Sequence, residues 1–194
     1  ESKGLRGLRA DLISQLLKKY PASVQTEGLK LQRLLNASLE EQTAQLEKTL
    51  TTLPEGDTRR GHEVFMSKKA ACNACHKLGY GGGRLGPDLT SIGRARNRRD
   101  LLEAMMFPSI SIVRGYESVS VELNDGRVVS GIVTSESGNE IVISVDAQKT
   151  HHISRTDIAE IVPSSVSQMP NGLATALTQQ EIADVIAFLL SNER

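Results

Sequence analysis

Both cysteines of this 194-residue chain lie in one five-residue motif, Cys72-Asn73-Ala74-Cys75-His76. Two cysteines placed at random in a chain of this length would rarely fall three positions apart and also precede a histidine. A buried pair of unreactive cysteines would leave the histidine unexplained. The motif therefore indicates a site with a chemistry of its own.

Three chemistries use a Cys-x-x-Cys pair. A redox-active dithiol lies in a β-α-β context at a helix N-terminus, which the flanking Ala70-Ala71 does not suggest. A structural zinc ion usually has four ligands, so this chain would need His62, His151 or His152 at irregular spacing to complete the set. Covalent haem attachment uses both thiols and the adjacent histidine. The motif favours haem, with zinc and a dithiol as the alternatives.

Composition limits the classes of partner. The 23 Lys and Arg residues balance 23 Asp and Glu, which argues against a general nucleic-acid binder. With three Phe, three Tyr and no Trp, the core must be aliphatic or a large ligand must complete it. The longest apolar run, Val185 to Leu190, is far shorter than the roughly 20 residues of a membrane span. We expect no nucleic-acid partner and no membrane span. The chain begins without Met or a signal-like stretch, so we expect a processed piece of a longer protein.

Residues 4–53 predict an N-terminal helical extension. Leucines recur there at helical spacing, and Pro21 interrupts the pattern. Ser38 and Glu41 form a capping-box pattern that predicts the start of another helix. We therefore expect three short helices, whose side chains suggest packing rather than chemistry.

A second domain is predicted to begin at Asp57, a plausible N-cap that follows the linker-like Pro-Glu-Gly at 54–56. Further along this domain the hydrophobic pattern changes to period two, and Asn-Asp-Gly at 124–126 predicts a hairpin. About five antiparallel strands are expected there. The predicted organisation is an extension at 1–56 and a domain at 57–194, interrupted by a β insertion at 117–162.

The motifs around the cysteine pair resemble those of class I c-type cytochromes. A Gly-x-x-x-Phe pattern at 61–65 precedes the pair, Gly-Pro-Asp-Leu follows it at 86–89, and Ser-Gln-Met-Pro at 167–170 precedes a last amphipathic helix. This resemblance covers roughly residues 57–116 and 160–194. With its inserted strands, the whole chain resembles the haem-binding domain at the C-terminal end of large planctomycete and verrucomicrobial proteins, which often carry a dehydrogenase-like propeller and helical repeats.

The resemblance implies a mainly α fold of the class I cytochrome c type, with an inserted small antiparallel β-module and an N-terminal helical extension. It implies one haem c, attached through Cys72 and Cys75. His76 would be the proximal iron ligand, and the carbonyl of Pro87 would accept a hydrogen bond from its ring. Met169 would be the sixth ligand.

The same resemblance implies a crossing of two helices. The helix that carries Gly61 and Phe65 would pack against the last helix at Phe188. Thr178 and Glu181 form a capping-box pattern that predicts where this last helix begins.

Several other side chains are candidates for the sixth iron position. Met169 lies in a loop held by Pro170, which suits a fixed ligand. His/Met ligation fills both axial positions and raises the reduction potential relative to His/His, which argues for electron transfer rather than catalysis. The other candidates are better explained as structural residues; they are Met66, Met105, Met106, His62, His151 and His152.

An arginine-rich stretch follows the three glycines at 81–83. These glycines lack the Gly-Lys-Ser/Thr ending of a phosphate-binding loop. Most of the arginines are typical of a solvated face, but we expect Arg94 to pair with a haem propionate or to attract an acidic redox partner. The arginines are Arg84, Arg94, Arg96, Arg98 and Arg99.

The sequence thus predicts a monohaem c-type cytochrome domain that transfers single electrons and is not itself an enzyme. Covalent haem implies export, and hence the periplasm. The implied partner is a redox protein or a fused dehydrogenase domain. Two alternatives remain: a haem-based sensor or peroxidase-like enzyme with an open sixth position, and an interaction module whose β insertion docks partners.

Overall fold

The computed structural model describes residues 17, 18 and 20–192. The chain forms two compact units, one ending at Thr52 and the other beginning at Leu53, slightly before the predicted boundary. The described helices are α1 (Ala22–Thr52), α2 (Thr58–Met66), α3 (Cys72–Cys75), α4 (Ile92–Ala95), α5 (Arg98–Met106), α6 (Leu173–Ala176) and α7 (Gln179–Ser191). The strands are β1 (Lys77–Leu78), β2 (Gly81–Gly82), β3 (Ser118–Leu123), β4 (Val128–Glu136), β5 (Glu140–Ser144), β6 (Thr150–Ser154) and β7 (Ile158–Ser164).

In the first unit, α1 is one continuous helix of 31 residues. The predicted break before Ser38 is wrong, because neither glycine nor proline interrupts the chain between Gly28 and Pro54. Ser38 lies inside the helix and accepts a hydrogen bond from the Gln42 amide one turn later, at 3.4 Å. The predicted helix before Pro21 falls largely outside the described residues. Of the helices in the described part of the chain, none is both long enough and apolar enough to cross a membrane.

The described residues are 43% helix and 21% strand, so the fold is α+β and the prediction of a mainly α cytochrome c fold is wrong. The prediction treated the strands as a small insertion into a helical frame. The structure instead contains a five-stranded antiparallel sheet with a hydrophobic core of its own. That core is formed by Val121, Leu123, Ile141, Ile143 and Ile153.

The sheet has the strand order β6-β5-β4-β3-β7. The predicted hairpin is confirmed: Gly126 has a φ of +83°, and β4 pairs with β3 on the far side of the turn. The last strand returns to pair with the first, so that Ser118 lies opposite Ser164. The chain therefore enters and leaves the sheet at neighbouring points, which allows these strands to be inserted between helical segments.

The predicted crossing of α2 and α7 is confirmed. A Cβ atom at Gly61 would lie 1.9 Å from the carbonyl oxygen of Asp184, so only glycine permits this approach. One turn later the rings of Phe65 and Phe188 meet edge to face, with centroids 5.7 Å apart. The predicted caps are also present at both helix starts, Asp57 for α2 and Thr178 for α7.

A buried carboxylate also stabilises the crossing of α2 and α7. Asp184 accepts hydrogen bonds from the backbone N–H of Asp57 at 2.7 Å and from Nε of Arg60 at 2.8 Å. Nη2 of Arg60 and the Gln180 amide add two further bonds, each at 2.9 Å. The hydrogen bond from Arg60, followed by those from Asp57 and Gln180, lowers the pKa of Asp184 to about 2 despite its burial.

Candidate functional site

A cavity of about 480 Å³ lies in the second unit, between the cysteine motif, α5, the sheet and the loop before α6. Its volume is within the range of roughly 300–1,000 Å³ that cofactor and small-molecule sites occupy. Most of its wall is apolar, with Leu101, Phe107, Ile112 and Ile132 among the lining residues.

Five of the six residues predicted to bind a cofactor line this one cavity, although they are spread over nearly a hundred positions of the chain. They are Cys72, Cys75, His76, Pro87 and Met169. The sixth, Arg94, does not line it.

The cysteines occupy the short helical turn α3, which begins after Ala71 in a left-handed conformation with a φ of +50°. The backbone N–H of His76 closes the turn on the carbonyl of Cys72 at 2.9 Å. Both thiols are free. Burial raises the pKa of Cys72 to about 11 and raises that of Cys75 as well. A redox-active dithiol has the opposite property, a lowered thiol pKa, so the structure gives the dithiol alternative no support.

The ring of His76 is held in one orientation. Its Nδ1 lies 2.8 Å from the carbonyl oxygen of Pro87. Because a carbonyl can only accept, Nδ1 carries the proton and Nε2 keeps its lone pair. Burial lowers the pKa of His76, which favours the neutral ring. A Cβ atom at Gly86 would lie 2.6 Å from Cε1 of this ring, so the glycine is needed for the loop to pack against the imidazole.

The loop that carries Met169 is anchored at several points. The hydroxyl of Ser118, on the first strand of the sheet, donates to the carbonyl of Val166. The backbone N–H of Ser167 donates to the hydroxyl of Ser109 at 3.1 Å, and that of Met169 donates to the hydroxyl of Ser167 at 3.1 Å. The thioether is therefore presented by a loop with fixed backbone contacts.

Of the candidate sixth ligands, Met169 alone lines the cavity. Met66 is exposed on α2, and Met105 is buried in the core. The ring of His62 packs against Phe188 with centroids 5.2 Å apart. The remaining candidates lie elsewhere: Met106 ends α5, and His151 and His152 belong to β6.

The structure also bears on zinc. Among the residues that it describes, no group of three or more His, Cys, Asp or Glu side chains could hold a metal ion. A structural zinc site therefore gains no support from the arrangement of these side chains.

The structure does not bring Arg94 to the wall of the cavity, and its pairing with a haem propionate or attraction of an acidic redox partner stays a prediction. Arg94 lines a shallow groove beside Leu190, which adjoins the cavity at Arg96 and Asp100. At the adjacent Gly93, α4 approaches α7 so closely that a Cβ atom would lie 2.4 Å from the Leu190 carbonyl oxygen. The helix ends at Ala95, and Arg96 then continues in an extended conformation. Arg96 is the arginine that lines the cavity.

Sequence reasoning missed the contribution of the sheet. Ile132 on β4 and the β5–β6 turn at Asp146, Ala147 and Gln148 all line the cavity. An Asp in a tight turn is an ordinary turn-forming residue, so local sequence contains no signal for this second role. Only the pairing of distant strands brings the turn to the cysteine motif.

No protein-family model matches this chain, and no curated protein is similar enough to be recognised as a relative. The chemistry of the site therefore rests on its own donors. Two uncharged thiols one helical turn apart, an imidazole with a free Nε2 lone pair and a thioether line one largely apolar cavity. This donor set fits a covalently attached haem.

Proposed function

We propose that this chain is a monohaem c-type cytochrome domain that transfers single electrons. The observation that supports it best is the meeting, in one apolar cavity, of both motif thiols, the oriented His76 and Met169. The proposal concerns the site and its chemistry, and it places that site in an α+β fold.

Each of these side chains has a distinct role in the proposal. The thiols of Cys72 and Cys75 would tether the haem, and Nε2 of His76 and the sulfur of Met169 would hold its iron. Haem so ligated supplies a one-electron couple. The carbonyl of Pro87 keeps the imidazole in the ligating tautomer and increases its basicity. The anchored Met169 loop and the apolar wall limit both movement and access of water.

The setting of this activity is part of the same proposal. Covalent attachment implies an exported protein, and the electron donor or acceptor would be a redox protein or a dehydrogenase-like domain of the same parent protein. Because Arg96 lines the cavity, its guanidinium would be able to pair with the carboxylates of the haem.

The absorption spectrum tests the proposal. The chain is produced together with a haem-attachment system, and spectra are recorded after air oxidation and after reduction with dithionite. We expect a low-spin c-type spectrum with the weak near-infrared band of a Met-ligated ferric haem. Met169→Ala should abolish this band and open the iron to added imidazole. Met66→Ala, which removes an exposed methionine from α2, is the matched control and should leave the band unchanged.

Two results would contradict the proposal. A high-spin spectrum of the wild-type protein would indicate an open sixth position and favour the sensor or peroxidase-like alternative. The absence of haem absorbance would remove the haem assignment altogether.

A further inference from the structure

The β5–β6 turn of the sheet lines the cavity that contains the cysteine motif. Asp146, Ala147 and Gln148 line the same cavity as Cys75. Asp146 and the attachment motif therefore face the same cavity.

The turn is well defined by its own hydrogen bonds. Oδ1 of Asp146 accepts from the backbone N–H groups of Gln148 and Lys149, each at 2.8 Å. The N–H of Val145 donates to the carbonyl of Lys149 at 2.9 Å, which continues the pairing of β5 with β6. The carboxylate is therefore fixed in position rather than carried on a loose loop.

The sheet contributes one charged group to the cavity wall. The other charged lining residues are Arg96, Asp100 and Glu103, all from the segment that includes α5. Asp146 is thus the charge through which the inserted sheet would act on a group held in the cavity.

We propose that the β5–β6 turn forms a wall of the cofactor site and that the carboxylate of Asp146 lowers the reduction potential of the bound haem. This inference rests on the proposed function. The oxidised form of a one-electron iron cofactor carries one more positive charge than the reduced form, so a nearby negative charge stabilises the oxidised form. The sheet would then be a working part of the redox site rather than a separate docking module.

The test compares two Asp→Asn substitutions in two turns of the same sheet. Asp146→Asn removes the charge but keeps an oxygen that can accept the two turn hydrogen bonds. Asp125→Asn is the matched control, because Asp125 likewise accepts from a backbone N–H two residues on, at 3.0 Å, but does not line the cavity. Midpoint potentials are measured by redox titration of haem-loaded protein, and haem content is measured from the spectrum.

We expect Asp146→Asn to shift the reduction equilibrium a few-fold, and at most about tenfold, toward the reduced form; a tenfold shift of a one-electron couple is about 59 mV. Because Asp146 is exposed, the shift should shrink at high salt. Asp125→Asn should leave the potential unchanged. A haem-loaded Asp146→Asn protein with the potential of Asp125→Asn, or a lower one, would overturn this inference alone. A wild-type chain without haem would overturn the proposed function and this inference with it.

Discussion

The helical frame, residues 57–116 and 165–192, and the sheet, residues 118–164, differ in how they pack and in what they give to the site. The frame depends on one close helix crossing, with a glycine contact, an aromatic pair and a buried carboxylate. The sheet depends on a cluster of aliphatic side chains. All five predicted donors and supports come from the frame, whereas the sheet supplies one apolar wall residue and one turn.

This difference indicates that the two regions contribute differently to the site, although both belong to one compact unit. The frame fixes the chemistry, because the motif follows α2 directly and the Met169 loop leads into α6 and α7. The sheet closes the cavity and adds a charge to its wall. If the two regions have separate cores, a substitution in one core should destabilise mainly the region that contains it, and this can be tested.

The largest expected effect comes from truncating one buried side chain in each core. Phe65→Ala should cost about 4 kcal/mol and Ile143→Ala about 3 kcal/mol of unfolding free energy, because both side chains are almost fully buried. Urea unfolding measures these losses. Amide hydrogen exchange then locates them: Phe65→Ala should speed exchange at His76 and Gly86, whose N–H groups bond within the motif and its loop, and Ile143→Ala should speed exchange in the sheet.

The opposite pattern would break the distinction between the two regions. If both substitutions accelerate exchange equally throughout residues 57–192, the frame and the sheet unfold as one cooperative unit. The two cores would then consist of different residues but would unfold together.

Local signals in the sequence predicted much of the frame. The caps at Asp57 and Thr178 each depend on residues three positions apart, so a short window contains the whole signal. Short patterns also predicted two other features. Turn chemistry predicted the hairpin at 124–126, and a family pattern predicted the helix contact at Gly61.

What could not be predicted depends on contacts between distant residues. The capping pattern at Ser38 is equally compatible with a helix interior, and no helix-breaking residue just before Ser38 forces a new helix to begin there. That Arg96 lines the cavity and Arg94 does not could be known only from where α4 ends. The fold class was misjudged because strand periodicity does not show whether strands form a complete layer with its own core.

A second test, of intermediate size, compares a buried with an exposed carboxylate. Asp184→Asn should cost about 2 kcal/mol at neutral pH, because it removes the charge that receives the Arg60 and Asp57 hydrogen bonds. The pKa of Asp184 in the folded protein, about 2, lies below its ordinary value of 3.8. Its stabilisation is therefore complete above about pH 4 and is lost as the pH falls toward 2.

Asp125→Asn serves as the control in the sheet, since its hydrogen bonds with Arg127 also lower the pKa of Asp125 but the side chain is exposed. We expect only a small loss there, and one that salt reduces. Urea unfolding of wild type and both variants between pH 2 and 7 makes the comparison. A gap between wild type and Asp184→Asn that stays constant over this range would show that the carboxylate acts through its shape and not its charge.

The smallest expected effect concerns one of the hydrogen bonds that join the two regions. Ser118→Ala leaves the carbonyl of Val166 without its donor from the sheet and should cost about 1 kcal/mol. Ser120→Ala, two residues along the same strand, removes only an exposed bond to Ser130 and should stay within about 0.5 kcal/mol of wild type. Because Ser118 holds the loop that presents Met169, its loss should also speed hydrogen exchange at the Met169 amide. Equal exchange in the two variants would mean that the Ser118 bond does not hold this loop, and that its other bonds, made by Ser109, Ser164 and Ser167, are sufficient.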